Sequence, residues 1–105
     1  MALFTINIKH PTRVRVLSFR IHTQTLTSDK LYLDSTQAGN VITIESDLEV
    51  SVIGPNVNIE LLATGDSHLL IKFNVERDGK KLFKNDVQAT TQNGRARSYK
   101  ENVAI

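Results

Sequence analysis

The strongest constraint on this chain is an alternation of apolar and polar residues with a period of two. Leu69, Ile71, Phe73 and Val75 alternate with Leu70, Lys72, Asn74 and Glu76. Ile42, Ile44, Leu48, Val50 and Val52 fall on even positions, and Val57, Ile59 and Leu61 on odd ones. Successive side chains of a strand point to opposite faces, so this pattern makes strands with one buried face. No apolar stripe of helical period stands out, and the abundant Val, Ile and Thr favour a pleated surface.

Turn residues divide the strands. Asp78-Gly79 and Asn93-Gly94 are two-residue hairpin signals, because a tight hairpin turn needs residues that tolerate positive φ. Gly54-Pro55-Asn56 and Gly39-Asn40 mark looser turns, and Gly65-Asp66-Ser67 reads as a three-residue loop. Closing these turns as hairpins predicts an antiparallel meander with one apolar face. The Gly65–Ser67 closure sets Leu61 opposite Ile71, Ile59 opposite Phe73 and Val57 opposite Val75. On the outer face it sets Glu60 opposite Lys72 and Leu62 beside Leu70. Closing Ile53–Asn56 pairs Val52 with Val57, Val50 with Ile59 and Leu48 with Leu61. Closing Gln37–Asn40 pairs Leu33 with Ile44 and Lys30 with Asp47.

One apolar face requires a cover. Phe4, Ile6 and Ile8 supply part of it, with Val14, Val16, Phe19 and Ile21. In the second set the parity switches between Val16 and Leu17. A β-bulge there keeps Arg13, Arg15, Arg20 and His22 on the outer face. The hairpin expected around Asn93-Gly94 adds Val87, Ala89, Val103 and Ile105. The expected fold is all-β, a single antiparallel sandwich of about seven to nine short strands, with a small closed barrel as the alternative.

A chain of 105 residues, 40% hydrophobic and 23% charged, is expected to form one domain spanning 1–105. It has no cysteine, which excludes disulfides and thiolate metal sites. The start MALFTINIKH lacks the basic and apolar regions of a signal peptide, and no apolar run suits a membrane helix. A cytoplasmic protein is expected, although a virion protein or one exported without a cleaved signal would look the same.

Charge is arranged in blocks. Residues 1–28 carry Lys9, Arg13, Arg15 and Arg20 and no acid. Residues 29–66 carry seven acids against Lys30, and residues 67–105 carry eight bases and four acids. The expected explanation is cross-strand pairing of Arg13, Arg15 and Arg20 with Glu45, Asp47 and Glu49. Were those strands in different sheets, the arginines would stand free for phosphate. Arg95, Arg97 and Lys100, with Tyr99 between them, would extend such a nucleic-acid surface.

The most enzyme-like string is Gly65-Asp66-Ser67-His68. A triad needs each group aimed at the next in space, which sequence neighbours rarely achieve, and no nucleophile elbow is present. His10, His22 and His68 lie at no metal-motif spacing relative to Asp29, Asp34 or Asp66. No catalytic residue, metal or cofactor is expected. Leu62, Leu70 and Phe83 form the expected apolar patch for a protein partner. The absence of Trp argues against stacking on sugar rings. The preferred reading is a non-enzymatic binding or assembly module that self-associates through an edge or the Leu62/Leu70 face. A nucleic-acid-binding module is the alternative, and a small hydrolase or metal-binding protein centred on Asp66–His68 is the second.

Overall fold

The first strand, β1 (Ala2–Pro11), buries Ala2, Phe4, Ile6, Ile8 and His10 and turns Leu3, Thr5, Asn7 and Lys9 outward. The strict alternation turns one face of the strand to the core. In the computed structural model, which describes residues 1–51 and 54–104, β1 pairs antiparallel with β5 (Val41–Val50) on one side and β7 (Leu70–Arg77) on the other. β4 (Ser35–Ala38) flanks β5. β8 (Lys80–Lys81) and β9 (Val87–Thr90) share the far side of β7.

The second sheet has the order β10-β6-β2-β3. It comprises β2 (Val14–Ile21), β3 (Gln24–Thr27), β6 (Asn56–Gly65) and β10 (Arg97–Ala104). The two sheets pack face to face as an all-β sandwich, and among the described residues no strand closes them into a barrel. Phe19 from β2 meets Phe73 from β7 edge to face, with ring centroids 5.5 Å apart, so the aromatic centre of the core joins the sheets.

The predicted bulge is present: the register of β2 against β6 shifts between Val16 and Ser18. The extra residue lets Val14, Val16, Phe19 and Ile21 all face inward and leaves Arg15 and Arg20 exposed. The Asp78-Gly79 hairpin also forms, with φ of 50° and 85° at its two central residues.

The meander does not form. β5, β6 and β7 alternate between sheets, so the connections after β5 and β6 are arches over the core rather than hairpins. Leu61 and Ile71 both face the core, but from opposite sheets, and Glu60 lies opposite Arg20 and Lys100 rather than Lys72. Lys72 lies between Lys9 and Gln88. Leu62 and Leu70 are consequently on different sheets and are not side by side. The alternation had the inward faces right and the neighbours wrong, because every strand of a sandwich carries the same pattern. The pairings proposed for Val52 and the turn beginning at Ile53 lie outside the described residues, as does Ile105.

Two details explain the arch after β6. A Cβ on Gly65 would lie 2.8 Å from the Arg13 carbonyl oxygen, so this glycine serves close approach of β6 to β2. Thr91, itself buried, then ties down the connection. Its hydroxyl donates to the Asp66 carbonyl and accepts the Leu69 amide, while its backbone exchanges hydrogen bonds with His68 and Leu69.

Gln37–Asn40 is corrected by a slip of two: Ser35, not Leu33, lies opposite Ile44. Leu33 instead ends a short helix, α1 (Ser28–Leu33), and is 80% exposed. Lys30 on that helix pairs with Asp34 at 3.0 Å and not with Asp47. The Asp34 carboxylate accepts the Ser46 hydroxyl, and that bond with the Lys30 ammonium holds its pKa below the usual carboxylate value. The helix covers one open side of the sandwich, with Leu31 fully buried beneath it.

Candidate interface at the free edge of the four-stranded sheet

Each sheet ends in edge strands whose unpaired peptide groups must be short, covered or charged. In the six-stranded sheet the edges are β4, of 4 residues, and β8 with β9, of 2 and 4 residues. In the four-stranded sheet one edge is β3, also 4 residues long. The other is β10, 8 residues long, and among the described residues nothing pairs with its outer side.

The ladder shows which groups of β10 are free. His22 donates its amide to the Asn58 carbonyl at 2.7 Å, so the peptide groups of Asn58, Glu60 and Leu62 face β2. In an antiparallel ladder the direction alternates along the strand. Val57, Ile59, Leu61 and Ala63 therefore face β10 and bond to Val103, Glu101, Tyr99 and Arg97. The N–H and C=O groups of Ser98, Lys100 and Asn102 point to the free side.

Side chains divide along the same strand. Tyr99 and Val103 sit half-buried against the core. The Arg97 guanidinium lies over the Tyr99 ring, 5.0 Å from its centroid, and approaches the Thr90 carbonyl at 3.5 Å. The Tyr99 hydroxyl is shielded from solvent and has no hydrogen-bond partner among the described residues. On the outer face Lys100 reaches Glu60 at 3.5 Å, and Asn102 donates to Asn58 at 2.6 Å.

The arginines of β2 do not meet the acids of β5, because those strands belong to different sheets. Glu45, Asp47 and Glu49 share the outer face of the six-stranded sheet with β1, where Asp47 accepts the Thr5 hydroxyl at 2.7 Å. Arg13 pairs instead with Asp66, and Arg20 lies 3.7 Å from Glu60. Arg15 stacks over Tyr32 at 4.5 Å and donates to the Ser28 hydroxyl at 3.3 Å. Arg95 closes the Asn93-Gly94 turn by donating its amide to Gln92. That turn leads from β9 in one sheet to β10 in the other, so the C-terminal hairpin is corrected to a crossover.

The remaining candidates are drawn into structural contacts. Phe83 is half-buried and packs edge to face on Phe73, with centroids 6.2 Å apart, rather than lying on an outer face. Asn74 holds that segment through the Phe83 carbonyl and the Asp86 carboxylate. Asp66 engages Arg13, the Ser67 hydroxyl accepts the Asn93 amide at 3.0 Å, and His68 turns the arch at φ 62°. Among the described residues no three His, Asp or Glu side chains are grouped to hold a metal, and no helix is long and apolar enough to cross a membrane.

Sequence patterning missed Tyr32 and His10, which close the side of the sandwich opposite β10. His10 Nδ1 lies 2.7 Å from the Pro11 carbonyl, so that nitrogen carries the proton. Nε2 then accepts from the Tyr32 hydroxyl, which itself accepts the Val16 amide at 2.8 Å. Burial lowers the His10 pKa below 6.5 and raises that of Tyr32 above 10.0. Both neutral forms suit the network.

No protein family, curated protein or solved structure matches this chain.

Proposed function

We propose that the protein is a non-enzymatic assembly module that binds another protein by strand addition to β10. The observation that carries this reading is the contrast between edges: one side of the sandwich is closed by α1 and Tyr32, while β10 offers unpaired peptide groups at Ser98, Lys100 and Asn102. A strand docking there gains main-chain hydrogen bonds and extends the sheet. The expected partner is a second copy of the chain. Sedimentation velocity from low to high micromolar concentration tests it, comparing the native chain with Lys100→Pro. Proline at this position removes a free-side donor and leaves the bonds to β6 in place. Association that the substitution abolishes supports the reading. A native chain that stays monomeric at high micromolar concentration overturns it.

A second reading has one observation in its favour. Arg15, Arg20 and Lys100 share the outer face of the four-stranded sheet, and Glu60 is the one acid among them in the described residues. Single-stranded nucleic acid would bind such a face with an affinity that falls steeply with salt. Anisotropy with a labelled oligonucleotide at low salt tests it; binding that Arg15→Ala with Arg20→Ala removes would place this reading first.

A further inference from the structure

Resting on the strand-addition reading, we infer that β10 pairs antiparallel with β10 of a second copy about a twofold axis at Tyr99. The direction of the free peptide groups limits the choice. Hydrogen-bonded pairs across the new ladder must join residues from Ser98, Lys100 and Asn102, so a symmetric register centres on a residue and not between two. Four centres, Tyr99, Lys100, Glu101 and Asn102, leave most of the strand paired. Centring on Asn102 sets Lys100 opposite Ala104 and Glu101 opposite Val103, so no opposite charges meet. Centring on Lys100 sets its ammonium opposite itself, and centring on Glu101 does the same with carboxylates. Like charges directly opposite are unfavourable.

Centring on Tyr99 removes both conflicts. Arg97 then lies opposite Glu101 of the second copy, twice by symmetry, and Ser98 opposite Lys100. The two Tyr99 residues form a non-hydrogen-bonded pair, the closer of the two pair types, where aromatic side chains interact well. The four-stranded sheets join into one continuous sheet of both copies, with β10 no longer an edge.

The chain lacks cysteine, so one introduced thiol reports the register directly. Tyr99→Cys should form an intermolecular disulfide under mild oxidation, because opposed Cα atoms about 4.5 Å apart are within bridging range. Glu101→Cys should not, since its copies lie four residues apart along the strands. Charge reversal gives a second measurement that keeps Tyr99. Arg97→Glu and Glu101→Arg alone should each weaken the dimer roughly tenfold, and the double variant should restore it. A dimer broken by Lys100→Pro that neither cross-links at position 99 nor recovers in the double variant overturns this register and leaves strand addition standing. A native chain that never associates overturns both.

Discussion

The Tyr32 hydroxyl takes the Val16 amide at 2.8 Å and reaches His10 Nε2 at 3.1 Å, so one side chain from α1 satisfies a peptide group that β3 does not cover. Val16 adjoins the bulge, where the strand bends away from regular pairing. Tyr32 thus performs on this side the protection that β10 lacks on the other.

Removing that hydroxyl leaves a buried amide unpaired. Tyr32→Phe is expected to lower stability by about 1–3 kcal/mol while preserving the fold. Urea denaturation followed by circular dichroism measures it; an unchanged midpoint would show that water replaces the hydroxyl without cost.

The His10 pKa is lowered in the fold, so the unfolded chain binds its proton first. The stability contributed by neutral His10 is full above the unfolded value of 6.5 and is lost as pH falls through the folded pKa. Thermal midpoints should therefore decline below about pH 6.5, and the decline over that interval should be smaller in His10→Gln. Loss from Asp34 belongs to more acid solution, below its ordinary 3.8. Equal slopes in both proteins near pH 6 would remove His10 as the cause.

Gly65→Ala places a methyl group against the Arg13 carbonyl and the Val14 backbone. Neither can yield as a flexible side chain would. A loss of about 1–3 kcal/mol is expected, as for other overpacked sites. A neutral effect in chemical denaturation would mean that the arch shifts freely.

Thr91→Val keeps the shape of the side chain and deletes its bonds to Asp66 and Leu69. An expected loss of about 1–3 kcal/mol should be accompanied by faster amide exchange at Leu69. Unchanged protection there would show that the backbone bonds to Thr91 suffice.

The inward-facing residues were legible in the sequence because burial imposes parity. Val16 and Leu17 announced the bulge for the same reason, and Asp78-Gly79 its hairpin. Strand partners were not legible. Glu60 matches Lys72 as well as it matches Arg20 and Lys100, and Gly65 reads identically as a turn former and as a contact with no room for Cβ. The β2–β3 hairpin turns on His22-Thr23, with His22 at φ 56°, and carries no glycine to mark it. α1 has only 6 residues, too few for a helical period to emerge. At the proposed interface, Arg97, Tyr99 and Lys100 stand out in the sequence only by charge and ring. Their place at an open edge depends on the crossover from β9, which no local pattern encodes.

That repeated crossing between sheets also governs how the chain must find its fold. β1 is made first, yet its two neighbours lie 30 or more residues further along, so the central ladder of the larger sheet cannot zip from any local hairpin. Closing such long loops costs chain entropy before any contact compensates it. Folding should accordingly be slow for the size of the chain, on the order of milliseconds to seconds. Until β7 arrives, both flanks of the apolar β1 are never covered together, and that interval is when the unfinished chain is most open to aggregation.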